Sequence, residues 1–331
     1  MQARRTCLKL EYEGTDISQD VAGDFISFDY SDNEDGKADD ITVSLKDNQG
    51  LWIGAWFPGK GDTIAATIID EGFGELYCGR FTIDELTAGG PPRTMQMKGV
   101  SIPINKTIRR QAKTKAWEGV DLSTIVDEVG ATGGLAVIYE VDLDPQYDRV
   151  DQSEESDLAF LHRLCEEAGL SLKVTDRQLA VFEQQKFEDK EPIAELVLGT
   201  HNILSWSFES QAFDLYKECT VSYYDAKTET NIEKTFEAPN VADGMSFTIT
   251  QRAESFGEAE RIAKAALRKR NKHEVKANFT LVGDINMLAG VTVTLSGFGN
   301  YSGKYLIEKA NHSISGGYTT KLDMRRVLEG Y

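Results

Sequence analysis

The stretch SDLAFLHRLCEEAGLSLKV, residues 156–174, places a helix and a strand back to back. Ser156 stands where a helix N-cap belongs. Leu158, Leu161, Leu164, Cys165 and Ala168 recur at helical spacing, and Gly169 supplies the stop. LSLKV then alternates as a strand does. About 35 residues earlier, DLSTIVDEVGATGGLAVIYEV repeats the arrangement: Leu122, Ile125, Val126 and Val129 share a helical face, which Gly130 is expected to close. Helices of roughly 8–12 residues are marginal alone and need a sheet to pack on. The two units therefore mark a small α/β region inside a chain of strands.

On the N-terminal side, residues 1–104 read as all-β. CLKLEYEG, FISFDYSD, DDITVSLKD, DTIAATIID, GELYCGRFTIDEL and RTMQMKGVSI are short and alternating, the pattern of a small barrel or sandwich. Residues 105–190 form the α/β region. It opens with NKTIRRQAKTKAWEGV, read as an exposed basic crossing, and closes with LKVTDRQLAVFEQ, read as a hairpin turning at Asp176–Arg177. Residues 191–331 return to β, with one strong helix from Ser255 to about Lys272. Ser255 and Glu258 make a capping-box pattern, and Ala259, Ile262, Ala263, Ala266 and Leu267 form one apolar stripe. The stripe is expected to pack on the helix's own barrel. The expected fold is mainly β, two β-barrel domains flanking a small α/β insert.

Composition bounds the function. With 331 residues and 40% apolar content the chain can bury two or three cores. No apolar run approaches a membrane span, and no apolar stretch follows the arginines of MQARRTCLKLEYEG, so neither membrane insertion nor a signal peptide is expected. Four scattered cysteines without a CxxC pair argue against a zinc site and a disulfide framework. The net charge of −18 divides as −9, −7 and −2 over the three regions, which repels nucleic acid over most of the surface.

No catalytic, cofactor or metal residue is assigned. The four histidines are far apart in sequence and no GxSxG elbow exists. SDNEDGKADD places Gly36 at the sixth position of a calcium loop, but Ser31 and Thr42 then hold the first and twelfth without carboxylates. It reads as a solvated hairpin tip. Trp52 and Trp56 are the best sugar-stacking candidates, with packing under the barrel as the simpler reading. The cations of the long helix complement its C-terminal dipole. Arg261, Lys264, Arg268, Lys269 and Lys272 are also candidate contacts to a neighbouring copy or another ring, with charge reversal at Arg268 and Lys269 expected to weaken assembly but spare folding.

Residues 257–327 hold GEAERIAKAALRKRNK, KANFTLVGD, INMLAGVTVTLSGFG and YSGKYLIEKANHSISGGYTTKLDMRRV in that order. This order resembles the C-terminal region of phage late control D proteins, the tail baseplate hub family. ESDLAFLHRLCEEAGLSL is similar to that family's middle domain, and DYSDNEDGKADDITVSLKDNQGLW, WFPGKGD and CGRFTIDEL are similar to its N-terminal part. The resemblance implies a structural, non-enzymatic hub without cofactor, built from two tube-like barrels around a small domain. It implies a homotrimer that joins a sixfold tail tube protein to a threefold spike protein, in a particle that also holds a tape-measure protein. That particle is a virion or tail-like baseplate assembled in the bacterial cytoplasm. The related type VI spike proteins continue into a spike domain, which this chain lacks, so a separate hub is expected. A carbohydrate- or cell-wall-binding tail module is the alternative, and a hub-associated wall hydrolase the third reading.

Overall fold

The strand patterns of the N-terminal third all become strands. In a computed structural model describing residues 4–101, 107–175, 177–200, 202–211, 215–225, 229–239, 241, 243–253 and 255–331, they are β1 (Thr6–Tyr12), the two-residue β2 (Thr15–Asp16), β3 (Phe25–Asn33), β4 (Asp40–Lys46), β5 (Thr63–Asp70), β6 (Gly74–Gly89) and β7 (Thr94–Val100). Helix α1 (Ser18–Ala22) follows β2. Alternate residues point inward, so Phe28, Val43, Ile68 and Phe81 meet in one apolar core. Burying each such side chain stabilises by about 1.5–3 kcal/mol.

The middle region contains α2 (Thr107–Arg110), β8 (Lys113–Asp121), α3 (Leu122–Gly133), β9 (Ala136–Glu140), β10 (Gln146–Glu155), α4 (Asp157–Ala168), β11 (Ser171–Val174), β12 (Gln178–Phe182) and α5 (Gln184–Asp189). Helix α4 follows its sequence. Ser156 Oγ accepts from Ala159 N at 3.3 Å, and Gly169 closes the helix with φ of 72°. β11 and β12 form the expected antiparallel hairpin, and β9 adds in parallel to β12. Asp176, one of the two expected turn residues, lies outside the described residues.

Two expectations change here. Helix α3 does not stop at Gly130 but runs to Gly133 and closes on Gly134. A Cβ at Gly130 would sit 2.4 Å from Val137 Cγ2, so this glycine permits close packing rather than ending the helix. The basic crossing is in part strand β8, paired antiparallel with β10. Its Trp117 is buried and stacks on Phe160 at 6.1 Å, with Lys115 Nζ 3.4 Å above the indole.

The C-terminal third holds β13 (Ala194–Val197), β14 (Ile203–Ser210), β15 (Tyr216–Asp225), β16 (Thr230–Glu237), β17 (Met245–Ile249), α6 (Phe256–Asn271), β18 (Val275–Val282), β19 (Thr292–Ser296), β20 (Gly303–Ile314) and β21 (Tyr318–Arg326). Ser255 caps α6 by accepting from Glu258 N at 3.1 Å. The apolar stripe does not face the barrel sheet as expected. β15, β16 and β17 form a separate three-stranded sheet, and Ala259, Ile262, Ala263 and Leu267 pack on it with Cys219, Val221 and Ile232; Ala266 lies partly buried at the edge of that core.

The remaining strands form one continuous 13-stranded sheet, which divides at β3–β20 into two six-stranded sheets with the same plan, β2 extending the first. Numbering the strands of each in chain order (β2 aside), the first sheet is β1-β5-β6-β7-β4-β3 and the second β13-β19-β20-β21-β18-β14, both in spatial order 1-4-5-6-3-2. Two of their irregularities coincide as well. The second strands shift register between Phe25 and Ser27 and between Ile203 and Ser205. The fifth strands shift between Ile83 and Glu85 and between Ile307 and Lys309. Two differences stand: β5–β6 shifts register between Ala66 and Thr67 where β19–β20 does not, and β1 runs antiparallel to β5, whereas β13 runs parallel to β19.

A ladder joins the two sheets. β3 pairs antiparallel with β20 from Phe28↔Ile314 to Asn33↔Lys309. At its centre His312 is fully buried against Tyr30, 5.9 Å away in a stacked arrangement, with Nδ1 2.8 Å from Tyr318 Oη and Nε2 3.1 Å from Met287 O.

Helix α4 meets α6 at Gly169, where a Cβ would stand 2.4 Å from Ala265 Cβ. Gly169→Ala is therefore expected to cost about 2–4 kcal/mol, from left-handed strain plus overpacking. A lowered midpoint in thermal or urea denaturation checks this.

Candidate functional site: a buried ionic junction

The second-to-third strand connection of the first sheet is the acidic segment expected to be a solvated tip. The structure corrects that reading: Ser31, Asp32, Asn33, Glu34 and Asp39 are all buried. Burial of so many acids demands partners, and each acid finds one far along the chain. Lys173 on β11 donates to Asp32 Oδ1 at 2.6 Å and lies 3.5 Å from Asp39 Oδ2. Ala289 N donates to Asp32 Oδ2 at 2.9 Å, and Leu172 N to Asp35 Oδ1 at 3.0 Å. Gln184 Nε2 donates to both oxygens of Glu34, at 2.8 and 2.9 Å. The lysine ammonium thus takes the place a bound cation would hold. Among the described residues, no group of three or more His, Cys, Asp or Glu side chains is arranged to hold a metal ion.

A second cluster adjoins the first. Glu188 on α5 is fully buried and accepts from Arg325 on β21 and Arg268 on α6. Arg325 is also fully buried, and its Nε lies 3.2 Å from Glu308 Oε1. Glu34 N donates to Glu308 O at 3.0 Å, which links the two clusters. Elements of all four apolar cores, β3, β11, β21 and α6, therefore contribute to these linked charges.

Burial sets the titration of these groups. It pushes the Glu34 carboxyl up to about 7, against the pull of Arg325. It raises Asp39 too, opposed by Lys173. Burial pulls Lys173 down, but Asp32 and Asp39 more than offset it, leaving the ammonium above its ordinary value. His312 is held down to about 4, chiefly by burial.

The basic residues expected to meet another copy are spread over α6, and three have partners in the same chain. Arg268 joins Glu188, Lys269 pairs with Glu166 on α4, and Arg261 Nη1 donates to Ala168 O at 2.9 Å. Lys264 and Lys272 line clefts beside the helix. The two tryptophans part company. Trp52 is buried with Nε1 3.0 Å from Asp24 Oδ2, whereas Trp56, in edge contact with it, is 47% exposed. His162 lies against the acidic segment at Gly36. Sequence reasoning missed Lys173, Gln184, Glu188 and Arg325. Their signal was a charged or amide residue inside a strand or helix pattern, with no local partner to explain it.

This arrangement ties the sheets, the insert and α6 to one another through buried charges. No helix among the described residues is long and apolar enough to cross a membrane. A family model described as phage tail baseplate hub (GPD) matches residues 103–318. The chain is 27% identical over 166 residues to the probable baseplate hub protein of Escherichia phage P2, and 26% over 162 residues to that of Escherichia phage 186. These alignments take in 50% and 47% of this chain but only 42% and 41% of those proteins. In fold it is similar to a tail protein from Neisseria meningitidis MC58, with TM-score 0.74, 13% identity and coverage of 97% and 96% of the two chains. It is also similar to an Escherichia coli component of the type VI secretion system, itself described as resembling T4 bacteriophage tail proteins, with TM-score 0.61, 11% identity and coverage of 93% and 75%. With about two thirds of its length matched by that model, the chain belongs to the phage tail baseplate hub family.

Proposed function

We propose that three copies of this chain form a ring of six barrels that joins a sixfold tail tube to a threefold spike. The observation that carries this reading is the shared plan of the two sheets, with the same strand order and register shifts at equivalent places. A closed threefold assembly repeats each sheet three times, and two look-alike sheets per copy present six similar units. One face then matches the tube while the other keeps the symmetry of the spike. The β3–β20 ladder and the ionic junction hold the two units of each copy in fixed relation, which a load-bearing adapter requires. The chain works without catalysis or cofactor, and tube, spike and tape-measure proteins are its partners in the tail. Three copies carry three times −18 formal charges, so an acidic channel wall would repel passing DNA.

Native mass spectrometry tests the stoichiometry. A species of about 110 kDa, three times 36.7 kDa, is expected. A dimer or a hexamer as the main species contradicts the reading.

A further inference from the structure

The in-chain ladder shows how one barrel unit meets the next. It joins the second strand of the first sheet, β3, to the fifth strand of the second sheet, β20. The receiving edge of β20 is shared: residues 303–306 pair with β19, and residues 309–314 pair with β3. β6 is the equivalent fifth strand of the first sheet. Its residues 74–82 pair with β5, and on that same edge, among the described residues, no strand pairs with residues 84–89. β14 is the equivalent second strand of the second sheet, and among the described residues it pairs only with β18. One copy thus carries one made joint and both halves of an unmade joint of the same kind.

We propose that β14 of one copy pairs antiparallel with the second half of β6 of the next copy, repeating the β3–β20 ladder; this rests on the ring reading above. The coincident register shifts fix the alignment. Phe25 corresponds to Ile203, and Ile83 to Ile307. The in-chain pairs Tyr30↔His312 and Ser31↔Asn311 therefore become Phe208↔Ala88 and Glu209↔Thr87 between copies.

Chemistry agrees with the geometry. The β6 segment 86–90 is Leu-Thr-Ala-Gly-Gly, small and uncharged in a strongly acidic chain. β14 exposes Leu204 and Trp206, about half of each open to solvent, at an edge strand that exposed backbone groups leave ready to pair. The contact is heterologous, so it closes a ring rather than a face-to-face dimer.

Paired cysteines test it. Directly opposed Cα atoms in an antiparallel ladder lie ~4.5–5.5 Å apart, within disulfide reach. In a Cys7→Ser background, which removes the exposed native thiol, Thr87→Cys with Glu209→Cys in one chain is expected to give a covalent trimer on mild oxidation. Each single variant should give at least about tenfold less cross-linked product. Thr87→Cys with Leu204→Cys, out of register, should behave like the singles. All positions lie at exposed edges, and an unchanged thermal midpoint of the reduced variant verifies its fold. A trimeric parent whose in-register pair does not cross-link overturns this joint and leaves the ring standing. A parent that is not trimeric by native mass overturns both.

Discussion

Replacing Arg325 with methionine is expected to lower the stability of the chain by about 3–5 kcal/mol, the range for breaking a buried ion pair from one side. The cause is what remains rather than what is lost. Glu188 is fully buried, and among the described residues its carboxylate would keep only Arg268 as a charge partner. Water cannot reach it to compensate, so the desolvation cost stays in the folded state. The surface pair Arg149–Glu118 makes the contrast. Its side chains are 57% and 66% exposed, and Arg149→Ala should cost under about 1 kcal/mol. Urea denaturation of both variants reads the difference. The same reasoning revises the expectation for α6. Arg268→Glu would press a second carboxylate against Glu188 and reach the fold itself, whereas Lys269→Glu disturbs only an exposed pair with Glu166.

Glu34→Gln is expected to stabilise the protein at alkaline pH by about 3 kcal/mol, since each pKa unit is worth 1.36 kcal/mol. The folded carboxyl titrates at about 7 against an ordinary 4.5. Below pH 4.5 it is protonated in both states and costs nothing. Between 4.5 and 7 the unfolded chain ionises while the folded chain holds its proton, so stability falls as pH rises. Above 7 the loss is complete and constant. His312 acts in the opposite sense. Its folded value of about 4 lies below an ordinary 6.5, so the unfolded state gains the proton first and stability falls as pH drops from 6.5 to 4. In the wild type the two slopes oppose each other. In Glu34→Gln the Glu34 slope is gone and only the raised Asp39 carboxyl still opposes the histidine slope, and the variant's advantage should vanish near pH 4.5. Denaturation midpoints measured from pH 4 to 8 check both statements. An advantage independent of pH would mean that Glu34 is not the titrating group.

How much of this was legible in the sequence depended on how far away each residue's partner lies. The strands of the first sheet and helices α4 and α6 could be read because their signals are local: alternation, a capping serine, a closing glycine. β8 was hidden because Lys113 and Lys115 alternate through it, although Lys115 serves to cover Trp117. β10, Gln146–Glu155, is almost wholly polar and showed no buried face. The acidic segment looked solvated because its partners, Lys173 and Ala289, stand some 140 and 260 positions away. The matching strand order of the two sheets is invisible to any local pattern, since it exists only in long-range pairing.

The central claim is that one chain supplies two equivalent barrels to a threefold ring. A cryo-electron microscopy reconstruction of the assembled ring tests it most directly. The account predicts three copies and six barrel densities, in which the sheet of β1–β7 alternates with that of β13, β14 and β18–β21. A ring of six copies, or one in which like sheets adjoin, would contradict it.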